Sequence, residues 1–325
     1  MRAILIAAFL CLPGLAVQAQ GAPTVYHGAC DGSAAVALDA NHFVAANDDE
    51  NLLRVYRIGD PKHIATIDLN LALKAEMEDG KYKEIDIEGA ARVGDRIYWI
   101  SSHARNGKGD KESSRHRFFA TEIKTGGANA PSVLPPTSFY DDLLEHLVAL
   151  RPELKSKDAP EEEEGFNIEG LAATPEGELL IGLRNPRPGK KAIVVRLANP
   201  AVIAADKNAA PQFRSTAELD LGGRGIRSIE RIGDRYVIVA GPFGDGDNDF
   251  ALYSWSGVDG DEPAPEAGLV VGNLKPEMLF NFKPEALFTA NQKEVYLLSD
   301  DGTKACKKLK DRDKKTFRGL AVRLN

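Results

Sequence analysis

The first chemical signal in this chain is a set of charged residues at matched positions: Glu88, Glu169, Arg227 and Glu285 each begin or closely precede an apolar segment of β type. Fifteen positions after Ser33 and after each of these four stands a polar or turn residue: Asp48, His103, Arg184, Pro242 and Asp300, respectively. Asp31, just before Ser33, and Asp49, next to Asp48, join the set. Carboxylates gathered at one water-accessible place repel one another, and a hard cation that takes six to eight oxygen ligands relieves them. The expected metal set is therefore Asp31, Asp48, Glu88, Glu169, Glu285 and Asp300, with calcium as the cation. A second reading stays open beside it, in which Arg184 and Arg227 neutralise the glutamates and close the ring without metal. Arg227, standing where three other repeats carry Glu, serves either reading, as internal counter-ion or as anion ligand.

Arginine presents a fork of donors suited to carboxylate or phosphate. Arg105, Arg115, Arg117, Arg184, Arg187 and Arg227 are accordingly the expected ligand-binding residues, although Arg115 and Arg117 would equally pair with surface acids. His103, in Ser101-Ser102-His103-Ala104-Arg105-Asn106, is tunable near neutral pH and is the candidate general acid or base. Other signals are weaker. The run Gly244-Asp245-Gly246-Asp247-Asn248-Asp249 has the alternating acids of a calcium loop, but Phe250 and Ser256 break the EF-hand pattern, so an ordinary loop accounts for it. The acidic run Glu161 to Glu164 reads as a solvated face, with a border of the site as its alternative. No Gly-x-Ser-x-Gly elbow, His-Glu-x-x-His helix, Walker loop or Cys-x-x-Cys pair is present, and Ser33 has no adjacent base.

What positions these residues is a repeat. Stretches beginning at Ser33, Glu88, Glu169, Arg227 and Glu285 superpose without gaps, and the best preserved read DIEGAARVGDRIYWISSH, NIEGLAATPEGELLIGLR and KPEALFTANQKEVYLLSD. Such self-similarity marks units that bury their faces only against neighbours. Two apolar runs joined by Gly94-Asp95, Pro175-Glu176-Gly177 or Gly233-Asp234 are hairpins. Third strands are expected at Leu52 to Arg57, Arg117 to Ile123, Ala192 to Leu197 and Phe250 to Trp255, and fourth strands at Ile64 to Leu69, Arg214 to Leu221 and Gly268 to Leu274. Four antiparallel strands per unit is the blade of a β-propeller. The unit spacings of 55, 81, 58 and 58 leave one surplus, which holds a helix expected over Ser138 to Leu150. The expected fold is all-β, a single propeller of five blades, with six as the alternative if the insertion hides irregular strands. Phe317 to Leu324 would give the last blade its third strand and Thr24 to His27 its fourth, closing the ring. In a propeller the first strand lines the channel and the second runs back, so both ends of each superposed stretch should meet at one channel mouth.

Arg2 followed by the apolar run Ala3 to Val17 and the pattern Val17-Gln18-Ala19 reads as a secretory signal cut after Ala19, leaving residues 20–325 as one domain, periplasmic or secreted. No later stretch approaches the roughly 20 apolar residues of a membrane helix. Without Arg2, 40 basic and 48 acidic residues remain, a formal charge of −8 that argues against a general nucleic-acid binder. The basic stretch Lys304 to Lys315 is expected as a solvated hairpin tip, with contact to an anionic envelope surface as its alternative. Of three cysteines Cys11 falls in the signal, and Cys30 with Cys306 is expected to form a disulfide stapling the seam between first and last units, two buried thiols being the rival reading. The chain is expected to be a monomer.

The blocks CDGSAAVALD…FVAANDDENLLRVYR, DIEGAARVGDRIYWISSHARN, NIEGLAATPEGELLIGLRNP, RSIERIGDRYVIVAGP and KPEALF together resemble the bacterial domain of unknown function 3616 family over essentially the whole mature chain. The resemblance implies no activity. The Ile-Glu-Gly element is also similar, over short segments, to exported propellers described as phytase-like esterases or YjiK-like proteins. Three functions follow as expectations. The first is a propeller that binds a small polar or anionic ligand at the channel mouth, with or without calcium. The second is a metal-assisted hydrolase of phosphate or carboxylic esters at that site, using His103 for proton transfer. The third is an envelope scaffold whose charge ring is purely structural. A propeller hosts all three.

Overall fold

Alternation of apolar residues with short glycine turns folds the chain into five antiparallel sheets arranged as a β-propeller. The structure, a computed structural model, describes residues 18–19, 22–124, 130–244, 249–270, 282–291 and 294–323. Residues 1–17 of the expected signal, residues 245–248 of the Gly-Asp loop and residues 271–274 of the expected fourth strand lie outside the described residues.

Blade 1 runs through Ala34–Ala37, His42–Ala46, Leu52–Arg57 and His63–Asp68. Blade 2 comprises Ile87–Val93, Arg96–Ser101, Phe118–Lys124 and Ser132–Leu134, and blade 3 Asn167–Ala173, Leu179–Asn185, Ala192–Leu197 and Phe213–Leu219. Blade 4 holds Gly225–Ile232, Arg235–Gly241, Ala251–Trp255 and Ala264–Val270. Blade 5 takes Pro284–Asn291, Glu294–Ser299 and Thr316–Arg323, and the N-terminal strand Thr24–His27 pairs with the last of these, Thr24 facing Gly319. Gln18–Ala19 pairs further along the same strand, with Arg323 and Val322.

The first strands of successive blades pack side by side around the axis, blade 5 against blade 1 included. The apolar residues sort by seam. Among the described residues each of five core clusters joins two adjacent blades, as in the group of Ala172, Leu180 and Val194 with Ile226, Ile238 and Trp255. The closing seam is aromatic: Phe43 of blade 1 stacks on Phe288 of blade 5 at 4.8 Å, and Tyr26 meets Phe43 at 5.2 Å. Cys30 and Cys306 are bonded across this seam with their Cα atoms 6.0 Å apart.

The insertion differs from the expected helix. Phe139–Tyr140 is a strand paired with Phe118 and Phe119, so the helix begins only at Leu143 and runs to Leu150, burying Leu143 and Leu147. Pairing at the blade edge satisfies backbone groups that a longer helix would otherwise have to cap. Among the described residues no helix is long and apolar enough to cross a membrane.

Candidate functional site

The start of each inner strand and the end of the strand beside it lie at one mouth of the channel, and there the charges divide into two halves. On the side of blades 3 to 5, Glu169 is held on both oxygens: Arg184 Nη1 lies 2.9 Å from Oε1 and Arg227 Nε 2.9 Å from Oε2. Asn167 Nδ2 donates to the same Oε1 at 2.9 Å. Arg227 also pairs closely with Glu285 of blade 5. Pro242 takes part through its backbone, its carbonyl accepting from Arg184 Nε at 3.3 Å. Glu169, Arg184 and Arg227 are all buried. Low-dielectric surroundings strengthen such pairs, and removal of one partner strands the others.

The side of blades 1 and 2 lacks this balance. Asp31, 2% exposed, accepts from the Asp48 backbone N–H at 3.3 Å through Oδ1 and faces Asp300 across an isolated bridge. Oxygens of Asp31, Asp48 and Asp49 lie within 4.8 Å of one another. Asp31 Oδ2, Asp48 Oδ1 and Asp49 Oδ2 are buried and have no hydrogen-bond partner. Lys307 Nζ reaches Asp49 Oδ1 at 2.8 Å and stands 4.0 Å from Asp48 Oδ2. Next to them Asp86 pairs with Arg115 Nη1 at 3.2 Å and takes a short hydrogen bond from the Ser102 hydroxyl. Among the described residues Glu88 has no ion pair within 4.0 Å.

The electrostatic consequence is a group of acids that resist ionising. Burial, then the neighbouring Asp48, Glu285, Asp49 and Asp300, holds Asp31 well above the usual carboxylate range. Burial lifts Asp48 to about 7 although Lys307 opposes it, and its side chain keeps 33% of its exposure, so water tempers the push. Glu88 is held well above its ordinary value by burial and by Asp86, Glu169 and Asp48. Asp86 is raised to about 6 by burial against the pull of Arg115. Glu285 is likewise raised by burial despite Arg227. Hard, converging and unsatisfied carboxylate oxygens are the donor set that suits Ca²⁺. Asp31, Asp48 and Asp49 would hold such an ion.

Of the residues the sequence singles out, Asp31, Asp48, Glu88, Glu169, Arg184, Arg227, Glu285 and Asp300 come together at the mouth, with Arg115 behind Asp86. Asp49, expected beside Asp48, is there too, and Asp86 is a further participant. Asp86 was legible in principle, because it lies two residues before Glu88 and alternate residues of an extended segment share a face.

His103, Arg105 and Arg117 are placed elsewhere. The hairpin of blade 2 turns on two residues, Val93 pairing with Arg96, whereas blade 3 pairs Ala173 with Leu179, so the return strand of blade 2 is set one residue back and Ser102, not His103, stands where Arg184 stands in blade 3. Ser102 meets Asp86, whereas His103, at φ 54°, lines a separate cavity of about 700 Å³ beside the helix Leu143–Leu150. His103 Nδ1 donates to the Ser101 carbonyl at 2.8 Å, and the ring stacks on His116 at 5.5 Å. Burial depresses His103 to about 3, and the charged groups that act on it are His116 and Arg117, not the acids of the mouth. Arg105 donates to the carbonyls of Gly109 at 2.9 Å and Ser156 at 3.2 Å. Arg187 lies over the Phe243 ring at 4.7 Å, bonded to Asn185 and 3.9 Å from Glu163. Glu161 to Glu164 are exposed. The basic stretch folds into the short helix Lys304–Lys307 and a turn over Arg312–Lys314, with Lys307 on Asp49 and Lys315 on Glu50.

A family model described as "Protein of unknown function (DUF3616)" matches residues 31–125 and 137–277. Among curated proteins none matches in sequence. Two solved structures are similar at 11% identity. One is glutaminyl cyclase from Myxococcus xanthus, covering 95% of this chain and 97% of that one with a TM-score of 0.47. The other is the PQQ-bound form of aldose sugar dehydrogenase from Streptomyces coelicolor, covering 95% and 98% with a TM-score of 0.44. Neither likeness carries chemistry over to this chain.

Proposed function

The chain belongs to the DUF3616 family, a family described as of unknown function, and from that premise we propose that its channel mouth is a calcium-dependent binding site for a small polar or anionic ligand. Calcium sits on Asp31, Asp48 and Asp49, with Glu88, Asp86 and Asp300 around it, and its remaining positions take ligand oxygens. Arg184 and Arg227 act as internal counter-ions to Glu169 and Glu285, so the structural and metal readings apply to different halves of one ring. The observation that carries this is the trio of buried, unpartnered oxygens Asp31 Oδ2, Asp48 Oδ1 and Asp49 Oδ2. A lysine at 2.8 Å supplies one positive charge to three carboxylates, and a divalent cation answers what is left. Catalysis is not part of the proposal, since His103 sits apart from the acids.

The protein works outside the cytoplasm, as a monomer. Extracellular calcium modules bind with Kd of about 10⁻⁴–10⁻³ M, and the same range is expected here. At 100-fold excess over Kd, calcium stabilises by about 2.7 kcal/mol, or roughly 5 °C in Tm for a chain of this size. Melting in calcium against chelator checks this. Asp48→Asn with Asp49→Asn removes the shift; a Tm indifferent to calcium in the unmutated protein refutes the proposal.

A further inference from the structure

The cavity that takes in His103 has the features of a second binding site, distinct from the channel mouth. Its volume of about 700 Å³ is that of a small-molecule pocket. Phe166 and Leu154 are buried in its wall, and Leu144 and Val148 of the helix Leu143–Leu150 are half-buried there.

Against this apolar lining stands a buried positive charge without a direct ion pair among the described residues, Asp141 and Glu76 acting on it only from farther off. Arg117 is 6% exposed, and among the described residues no carboxylate comes within 4.0 Å of it. Its other donors are used on carbonyls: Nε to Leu73 at 3.2 Å, and Nη1 to Ser113 at 2.9 Å and His116 at 2.8 Å. Nη2 makes no hydrogen bond among the described residues. The guanidinium lies 4.4 Å over the Phe139 ring, which fixes its plane. Every other buried arginine among the described residues has a carboxylate partner: Arg54 has Glu50, Arg184 has Glu169, and Arg227 has Glu169 and Glu285. An unpaired buried charge is costly and is expected to be answered by something. Arg105, also lining the cavity, likewise has no ion pair among the described residues. The acids at the rim are Glu76, Glu112, Asp141, Asp142 and Glu145. Of these Glu76 and Glu112 share Lys83, and Asp141, Asp142 and Glu145 are exposed, where salt screens them. The two imidazoles add no competing charge near neutral pH, because burial depresses both His103 and His116. His103 Nε2, buried and unpartnered, is a spare acceptor in the same wall.

The geometry points to a site for an amphipathic carboxylic acid, its carboxylate on the free edge of Arg117 with Arg105 at hand and its apolar body against Phe166, Leu154, Leu144 and Val148. With Nε and Nη1 occupied, Nη2 donates to the carboxylate, and a charge-assisted bond of this kind is stronger than a neutral one.

The test is titration calorimetry of the full chain with three probes of one length: octanoate, octanol and octylammonium. Octanoate binds one per chain with Kd of order 10⁻⁴ M, as ligand efficiency for so few atoms allows, and the alcohol and amine bind at least about 10-fold more weakly. Arg117→Met weakens octanoate at least about 10-fold. Leu144→Glu, a change at a half-buried helix position whose folding is checked by its melting transition, does the same and decides the matter if the Arg117 variant does not fold. Octanoate affinity is equal in calcium and in chelator. Equal binding of octanol, preference for the amine, no octanoate binding at 1 mM, or wild-type affinity in the Leu144→Glu variant overturns the assignment.

Discussion

Arg227 is the residue on which the closed half of the mouth depends, because its single guanidinium serves two buried glutamates from two other blades, Glu169 at 2.9 Å and Glu285 more closely still. Arg227→Met strands those charges and is expected to cost about 3–5 kcal/mol, read as a lower urea midpoint; an unchanged midpoint contradicts the pairing. The open half is tested by pH. Asp48 is raised from 3.8 to about 7 and Asp86 from 3.8 to about 6, so the folded protein holds protons that the unfolded chain releases. That stability is full below the unfolded value near 4 and is lost as pH rises through 6 to 7. The Tm contribution of these acids in calcium-free protein should therefore fall between about pH 4 and 7, and saturating calcium should flatten the fall; a Tm that rises between about pH 5 and 7 without calcium contradicts it. At this scale the fifteen-residue spacing was enough to bring Glu169 together with Arg184. It failed for His103, because blade 2 turns on the two residues Gly94-Asp95 and so sets its return strand one residue back from that of blade 3, which turns through Pro175-Glu176-Gly177; a gap-free overlay hides that difference.

At the scale of the strand, the glycine of the Ile-Glu-Gly element has a packing reason. A Cβ on Gly89 would come 2.8 Å from Ile100 Cγ2 and 2.9 Å from Leu171 Cβ of the next blade, and one on Gly170 would come 2.8 Å from Ile226 Cγ2 of the blade after. The innermost strands are closest to the axis, and only a bare backbone lets neighbours approach there. Gly89→Ala should overpack the seam and cost about 1–3 kcal/mol, seen as a lower Tm in the same calcium buffer; an equal or higher Tm would mean the seam has slack. The strands themselves were legible because their alternation and turns are local. Thr24–His27 was found where ring closure requires it, and Leu52–Arg57 and Ala192–Leu197 fall on the expected bounds. Elements fixed by tertiary contact were not. The helix Pro200–Ala205 has only six residues and buries Ile203 and Ala204 against its neighbours, and the hairpin of Met77–Glu78 with Lys81–Tyr82 is exposed and carries no apolar pattern.

The whole molecule is a ring whose stability is shared among five blade seams, with the covalent link at the seam where the chain begins and ends. A bond between residues this far apart in sequence removes denatured-state entropy worth roughly 5 kcal/mol in the chain-entropy model. Asp31 meets Asp48 within the first blade and its lead-in, where Ser33 N–H bonds the Ala46 carbonyl, and ring closure then adds Lys307, beside Cys306, at Asp49 and Asp300 at Asp31. In the proposed function the trio of Asp31, Asp48 and Asp49 makes the mouth a binding site and not only a lock. The most direct measurement is calcium titration calorimetry on the mature, metal-stripped protein beside Asp31→Asn. One calcium per chain, with Kd of about 10⁻⁴–10⁻³ M and at least about 10-fold weaker binding in the variant, is the result predicted. No binding at 10 mM calcium, or equal affinity in the two proteins, contradicts it.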